Sequence, residues 1–194
     1  MGNLPIAMLL SAVLSYLIGS INFPIILSKT LCKDDVRAHG SGNAGMTNIM
    51  RTYGKWVGIL ALIGDFGKGT VCYFLAGWLS SLLAPGAEPL LCVAAAGICG
   101  MLGHIYPLYF GFKGGKAVLF IAGYVVCYDF LTFCICFAVF LIVLFVWKMV
   151  SLASVVMGLS FPIVTACTHW MRGEEMTISI LFAVLACLIV TIKH

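Results

Sequence analysis

AVLFIAGYVVCYDFLTFCICFAVFLIVLFVW, residues 117–147, is apolar apart from Asp129. A helix needs about 20 residues to cross a hydrocarbon core of ~30 Å, so this run is too long for one crossing and divides at its single charge. The division gives a short fourth span at 117–128, tilted, broken or extended past Asp129, and a fifth ending at Lys148. The rest of the chain has the same character. It is 62% hydrophobic and 9% charged, with a mean hydropathy of +1.12, whereas a soluble domain is roughly a quarter charged. The reading is an all-α, polytopic membrane bundle forming one domain over residues 1–194. No nucleic-acid partner is expected.

Outward from that run the spans fall at 4–27, 56–83, 90–110, 152–170 and 176–192, which makes about seven in all. A polar loop at 28–55, the turn Pro85-Gly86-Ala87-Glu88-Pro89, the loop Gly111–Lys116 and the turn Arg172-Gly173-Glu174-Glu175 connect them. The first run is too long for a signal-peptide core and has no basic residue before it, so it reads as a retained helix. Lys29, Lys33, Arg37, Arg51, Lys55, Lys113, Lys116, Lys148 and Lys193 fall on one side; Arg172, Glu88, Asp129, Glu174 and Glu175 fall on the other. The excess of basic residues predicts an external N-terminus and a cytoplasmic C-terminus.

This topology sets two glycine-rich loops on one face. In Gly40-Ser41-Gly42-Asn43-Ala44-Gly45-Met46-Thr47-Asn48-Ile49-Met50-Arg51, three glycines let backbone N–H groups approach an anion, and the polar side chains and Arg51 add donors. Phe112-Lys113-Gly114-Gly115-Lys116 brings two lysines, which with Arg51 suffice to neutralise a dianion. Ser151 and Ser154 are hydroxyls at the cytoplasmic end of the sixth span, where an isolated pair would be helix caps. Asp65 and Lys68 are placed to pair on one face inside the second span, where charge is expensive.

Several chemistries are excluded. Gly40, Gly42 and Gly45 match GxGxxG, but a dinucleotide site needs a preceding strand. Ala117 stands where a Walker loop requires a hydroxyl, no Gly-x-Ser-x-Gly elbow occurs, and His104 is followed five positions on by Tyr109, not Asp. The nine cysteines are scattered through apolar segments without metal-ligand spacing, so neither metal nor cofactor is expected. His39, His104 and His194 are the histidines on the loop face, and His104 is the candidate general base among them.

Gly40-Ser41-Gly42-Asn43 with Gly45, Thr47-Asn48 and Arg51, then Gly103-His104-Ile105-Tyr106-Pro107 leading into Phe112–Lys116, then Ser151-Leu152-Ala153-Ser154, closely resemble the bacterial acyl-phosphate:glycerol-3-phosphate acyltransferases. Tyr16–Ser20, Asp65-Phe66 and Lys68-Gly69 share the likeness, which covers nearly the whole chain in order. The resemblance implies an inner-membrane enzyme with a cytoplasmic active face. It would move a fatty acyl group from acyl phosphate to the 1-hydroxyl of glycerol 3-phosphate, making 1-acyl-glycerol 3-phosphate (lysophosphatidic acid), with docking of an enzyme that makes acyl phosphate as a further expectation. It assigns Gly40, Ser41, Gly42, Asn43, Gly45, Thr47 and Asn48 to the acyl phosphate. Arg51, Lys113, Gly114, Gly115, Lys116, Ser151, Ser154 and His194 go to glycerol 3-phosphate. On that view the substrate's own phosphate takes the hydroxyl proton, and His104 is structural.

Two departures from the family bear on activity. Ala117-Val118-Leu119-Phe120 replaces Gly-Val-Ala-Thr, and the sequence stops at His194 where the family continues with a polar, basic tail. The alternatives are a non-enzymatic lipid or phosphate binder on the same scaffold, and a small-anion transporter, which no inverted repeat supports.

Overall fold

Backbone amides have no water to bond inside a bilayer, so a spanning chain satisfies them within helices. The computed structural model describes residues 2–194, and among them there are helices and turns but no strand. The α-helices are α1 (Leu4–Gly19), α2 (Phe23–Leu31), α3 (Met46–Tyr53), α4 (Lys55–Leu83), α5 (Leu90–Ile105), α6 (Val118–Tyr128), α7 (Phe130–Trp147), α8 (Val150–Arg172) and α9 (Thr177–Lys193). Single 3-10 turns occupy Val36–Ala38 and Leu108–Phe110. Five segments are long and apolar enough to cross a membrane: Leu4–Leu31, Lys55–Leu83, Leu90–Phe110, Phe130–Trp147 and Val150–Arg172. Val118–Tyr128 and Thr177–Lys193 are shorter apolar helices; at 11 residues α6 is roughly 16 Å long, about half the hydrocarbon thickness.

The division at Asp129 is present, and its cause is a cap. Asp129 accepts hydrogen bonds from the N–H groups of Leu131 (3.1 Å) and Thr132 (3.2 Å), starting α7 afresh. Its carboxylate also pairs with Arg172 at 3.0 Å, tying this corner to the end of α8.

Three expected boundaries are corrected. The first span is not one helix: Asn22 Oδ1 accepts from the Ile25 N–H at 3.2 Å and Pro24 sits in the first turn, so a new helix begins after a break. The stretch at 28–55 is not all loop, since α2 runs to Leu31, a 3-10 turn follows, and α3 fills Met46–Tyr53. Ser151 and Ser154 are not caps. Met149 precedes α8, and the Ser154 hydroxyl, one turn further on, donates back to the Val150 carbonyl at 2.8 Å.

Close helix approach depends on small residues, as lipid tails give no hydrophobic drive between helices. A Cβ at Gly19 would lie 2.1 Å from the Gly100 carbonyl oxygen, so α1 and α5 touch backbone to backbone. The main core joins α4, α5, α6 and α9 around Met101, Phe120, Tyr124 and Phe182. Tyr124 stacks on Phe120 with ring centres 6.2 Å apart, and its hydroxyl donates to the Val93 carbonyl. A smaller core of Ile25, Val36, Ala44, Ile49 and Ala61 seats the first glycine-rich loop on α2, α3 and α4.

Candidate active site

That loop is shaped by one side chain. Asn48, in the first turn of α3, is buried and turns back into the loop. Its Oδ1 accepts from the Ser41 N–H at 3.2 Å, and its Nδ2 donates to the carbonyls of Val36 (3.0 Å), His39 (3.0 Å) and Asn43 (3.1 Å). Gly40 makes the fold-back possible: at φ +56° it occupies the left-handed region, and a Cβ there would come within 2.3 Å of Asn48 Oδ1.

Nearby charges sort into two groups. Asp35 binds Arg37 at 2.7 Å and Lys29 at 3.4 Å, and Asp34 meets His39 at 2.6 Å. The hydrogen bond from Arg37 holds the Asp35 carboxyl well below the usual carboxylate range. Among the described residues Arg51 and Lys116 have no acidic partner. Burial draws Lys116 below the ordinary lysine value.

These two cations face a cleft of about 450 Å³. Ser41, Asn43, Gly45, Thr47, Asn48 and Arg51 line it from the loop and α3, Lys116 from the second loop, Ser151 and Ser154 from α8, and His194 from beyond α9. His194 Nδ1 lies 3.0 Å from the Val190 carbonyl, and burial, reinforced by the neighbouring Lys116 cation, draws its imidazole below the ordinary value. His104 and Asp65 also form part of the wall. Val118 is shared with an apolar groove between α6, α7, α8 and α9 that includes Ile121, Phe133, Phe137, Met157 and Phe161.

Five expected contact residues lie outside the cleft wall. Gly40 forms the bend behind Asn48. Gly42, Lys113 and Gly114 line a neighbouring depression with Arg37. Gly114 and Gly115 donate their N–H groups to the carbonyls of Ile105 (3.0 Å) and His104 (3.2 Å), so these amides cap the end of α5 instead of facing an anion. Of the replaced residues, Phe120 is buried in the core and absent from the cleft, whereas Ala117 lines it at φ +61°.

The sequence profile of the glycerol-3-phosphate acyltransferase family matches residues 9–194. The chain belongs to that family. A glycerol-3-phosphate acyltransferase of Neisseria meningitidis is 38% identical over 149 residues, 77% of this chain and 73% of the relative. One of Pseudomonas aeruginosa is 46% identical over 114 residues, 59% of this chain and 57% of the relative. The crystal structure of PlsY (YgiH), an integral membrane glycerol 3-phosphate acyltransferase, in its glycerol 3-phosphate form superposes with a TM-score of 0.80 at 30% identity, covering 96% of this chain and 88% of that one. Its lysophosphatidic acid form gives 0.77 at 30% identity, with coverage of 96% and 87%. The family membership and this likeness make the chain an integral membrane protein on the acyltransferase fold.

Sequence reasoning missed the clasp made by Arg37 and the partners of Lys68 other than Asp65. Arg37 Nη1 donates to the Phe110 carbonyl (2.9 Å) and the Lys113 carbonyl (3.1 Å), clasping the two glycine-rich loops. The local pattern Asp35-x-Arg37 signals a fixed guanidinium, but not where its other face points. The ion pair of Asp65 with Lys68 is present at 3.0 Å; the third member, His104, comes from another helix.

Proposed function

We propose that this protein transfers a fatty acyl group from acyl phosphate to the 1-hydroxyl of glycerol 3-phosphate, on the cytoplasmic face of a bacterial inner membrane. The observation that carries this reading is the single cleft in which Arg51 and Lys116, without an acidic partner among the described residues, meet Ser41, Asn43, Ser154 and His194, beside an apolar groove that shares Val118. Two phosphorylated substrates require anion-binding groups, and an acyl chain requires an apolar channel continuous with them. Ser41, Asn43, Gly45 and Thr47 are assigned to the acyl phosphate. Arg51, Lys116, Ser151, Ser154 and His194 are assigned to glycerol 3-phosphate, and the acyl chain to the groove.

The chemistry needs no protein nucleophile. The hydroxyl oxygen of glycerol 3-phosphate attacks the acyl carbon, the bond from that carbon to the phosphate oxygen breaks, and phosphate departs with the electron pair and takes up the hydroxyl proton. Orientation and neutralisation of charge then supply the rate. Docking of an enzyme that makes acyl phosphate would deliver a reactive donor directly to this face.

The test is release of phosphate by the purified protein in lipid, with acyl phosphate supplied and glycerol 3-phosphate present or absent. Release that depends on both, yields lysophosphatidic acid and collapses in Arg51→Ala supports the proposal. A folded protein that binds both substrates without turnover would overturn it in favour of a binding protein.

A further inference from the structure

We infer that Lys68 is a positioning residue, fixing His104 in one tautomer so that His104 presents a hydrogen-bond donor to a phosphate oxygen in the cleft. The inference rests on the phosphate-binding reading of that cleft.

Lys68 is buried in α4, with its side chain 4% exposed. Its Nζ lies 3.0 Å from the Gly19 carbonyl, 2.6 Å from the Ile21 carbonyl, 2.9 Å from His104 Nδ1 and 3.0 Å from Asp65 Oδ1. The two carbonyls are those freed by the break between α1 and α2, and the carboxylate balances the charge. An ammonium group only donates. Nδ1 must therefore meet it with a lone pair, which leaves the ring proton on Nε2. A ring protonated at both nitrogens would set an N–H against the ammonium, donor to donor.

Nε2 has no hydrogen-bond partner among the described residues and is not among the buried unpaired atoms, while His104 forms part of the cleft wall. Gly115 leaves room for it, since a Cβ there would approach Nε2 to 2.4 Å. An Nε2–H cannot accept the hydroxyl proton, so the geometry opposes a base role. It can donate to an anion, adding to Arg51 and Lys116 a neutral donor. The chain from the α1–α2 break through Lys68 to His104 thus sets one donor of the site.

The test uses the full chain labelled with 15N-histidine in detergent, with His104→Gln to assign the resonance. The expected result is a single Nε2–H tautomer at His104 whose Nε2 signal moves when inorganic phosphate is added, and tautomeric mixing in Lys68→Met. A wild-type Nδ1–H tautomer, or no response to phosphate, would overturn the inference. If Lys68→Met does not fold, kinetics decide: a glutamine amide reaches the position of Nε2 and still donates. His104→Ala should then lose about 10- to 100-fold in kcat/KM, with His104→Gln recovering most of it. Equal losses in both variants would overturn the donor role, and the substrate whose KM rises identifies the phosphate served. If wild-type protein shows no turnover, the acyltransferase reading fails, while the tautomer and its response to phosphate still decide this one.

Discussion

Arg37 reaches Lys113 across 76 positions of sequence, its Nη1 donating to the Lys113 main-chain oxygen at 3.1 Å. The guanidinium is held on its other side by Asp35, so one rigid fork spaces the loop that carries Ser41 and Asn43 from the loop that carries Lys116. Arg37 is absent from the cleft wall.

Arg37→Ala is expected to lower kcat/KM about tenfold or more through misplacement of both loops, with amide exchange rising over residues 40–45 and 111–116. Arg37→Lys should recover little, as one ammonium cannot reproduce the fork. The Asp35 carboxyl is depressed in the folded state, so its stabilisation is complete above the unfolded value of ~3.9 and is lost as pH falls through the lower folded value. Below about pH 4 the clasp's contribution to stability should therefore begin to fall, the pair itself opening only as pH reaches the much lower folded value, while pH changes between about 5 and 8 leave it intact.

Asn48 has two N–H protons shared among three carbonyls, and it is buried. Asn48→Ala removes these bonds and should destabilise the protein by about 1–3 kcal/mol. Asn48→Asp should cost more, because a carboxylate would face the same three carbonyls and repel a bound phosphate. Thermal unfolding in detergent ranks the two. The prediction fails if Asn48→Asp is the more stable.

The bundle was largely legible in the sequence because lipid imposes long apolar runs and a membrane helix satisfies its own backbone. The division at Asp129 was legible because that residue is the one charge in an apolar run too long for a single crossing; that its carboxylate caps α7 is visible only in the structure. What escaped was set by contacts between distant segments. Nothing local to Lys68 reveals that its ammonium closes a break at Gly19 and Ile21, and nothing local to Gly114 and Gly115 reveals that their amides cap α5. Asn48 reads from the sequence as a polar arm near phosphate. Its direction, inward to the loop, depends on the bend at Gly40.

Ala117 holds φ +61° immediately before α6, in the region that costs an L-residue about 1 kcal/mol. It is also fully buried, so Ala117→Gly gives up a methyl group worth ~0.8 kcal/mol as it relieves the strain. The two nearly cancel, and Ala117→Gly is expected to leave unfolding temperature and activity close to the starting protein. Ala117→Val should be destabilised by more than about 2 kcal/mol, since β-branching is poorly tolerated at positive φ. Parallel thermal melts and activity assays would distinguish this from a requirement for glycine, which predicts a large gain of activity in Ala117→Gly.

Lys116 provides the pH test of the cleft. Burial lowers its folded value below the ordinary ~10.4, so the ammonium is lost earlier as pH rises. For stability the slope has the same sign as for the paired carboxylate, but the contribution at neutral pH has the opposite one. Between the folded and unfolded values the unfolded chain holds more protons, so stability rises with pH there, and at neutral pH the charged, partly buried ammonium is a cost. For activity, the proposed anion site weakens over the same interval. The kcat/KM for glycerol 3-phosphate, corrected for spontaneous hydrolysis of acyl phosphate, should fall on the alkaline side with an apparent value below ~10.4. Lys116→Arg keeps its charge over this range and should lose that limb, even where its neutral-pH activity is reduced by the changed shape. An alkaline limb that persists unchanged in Lys116→Arg would show that another group governs it, and would remove Lys116 from the phosphate site.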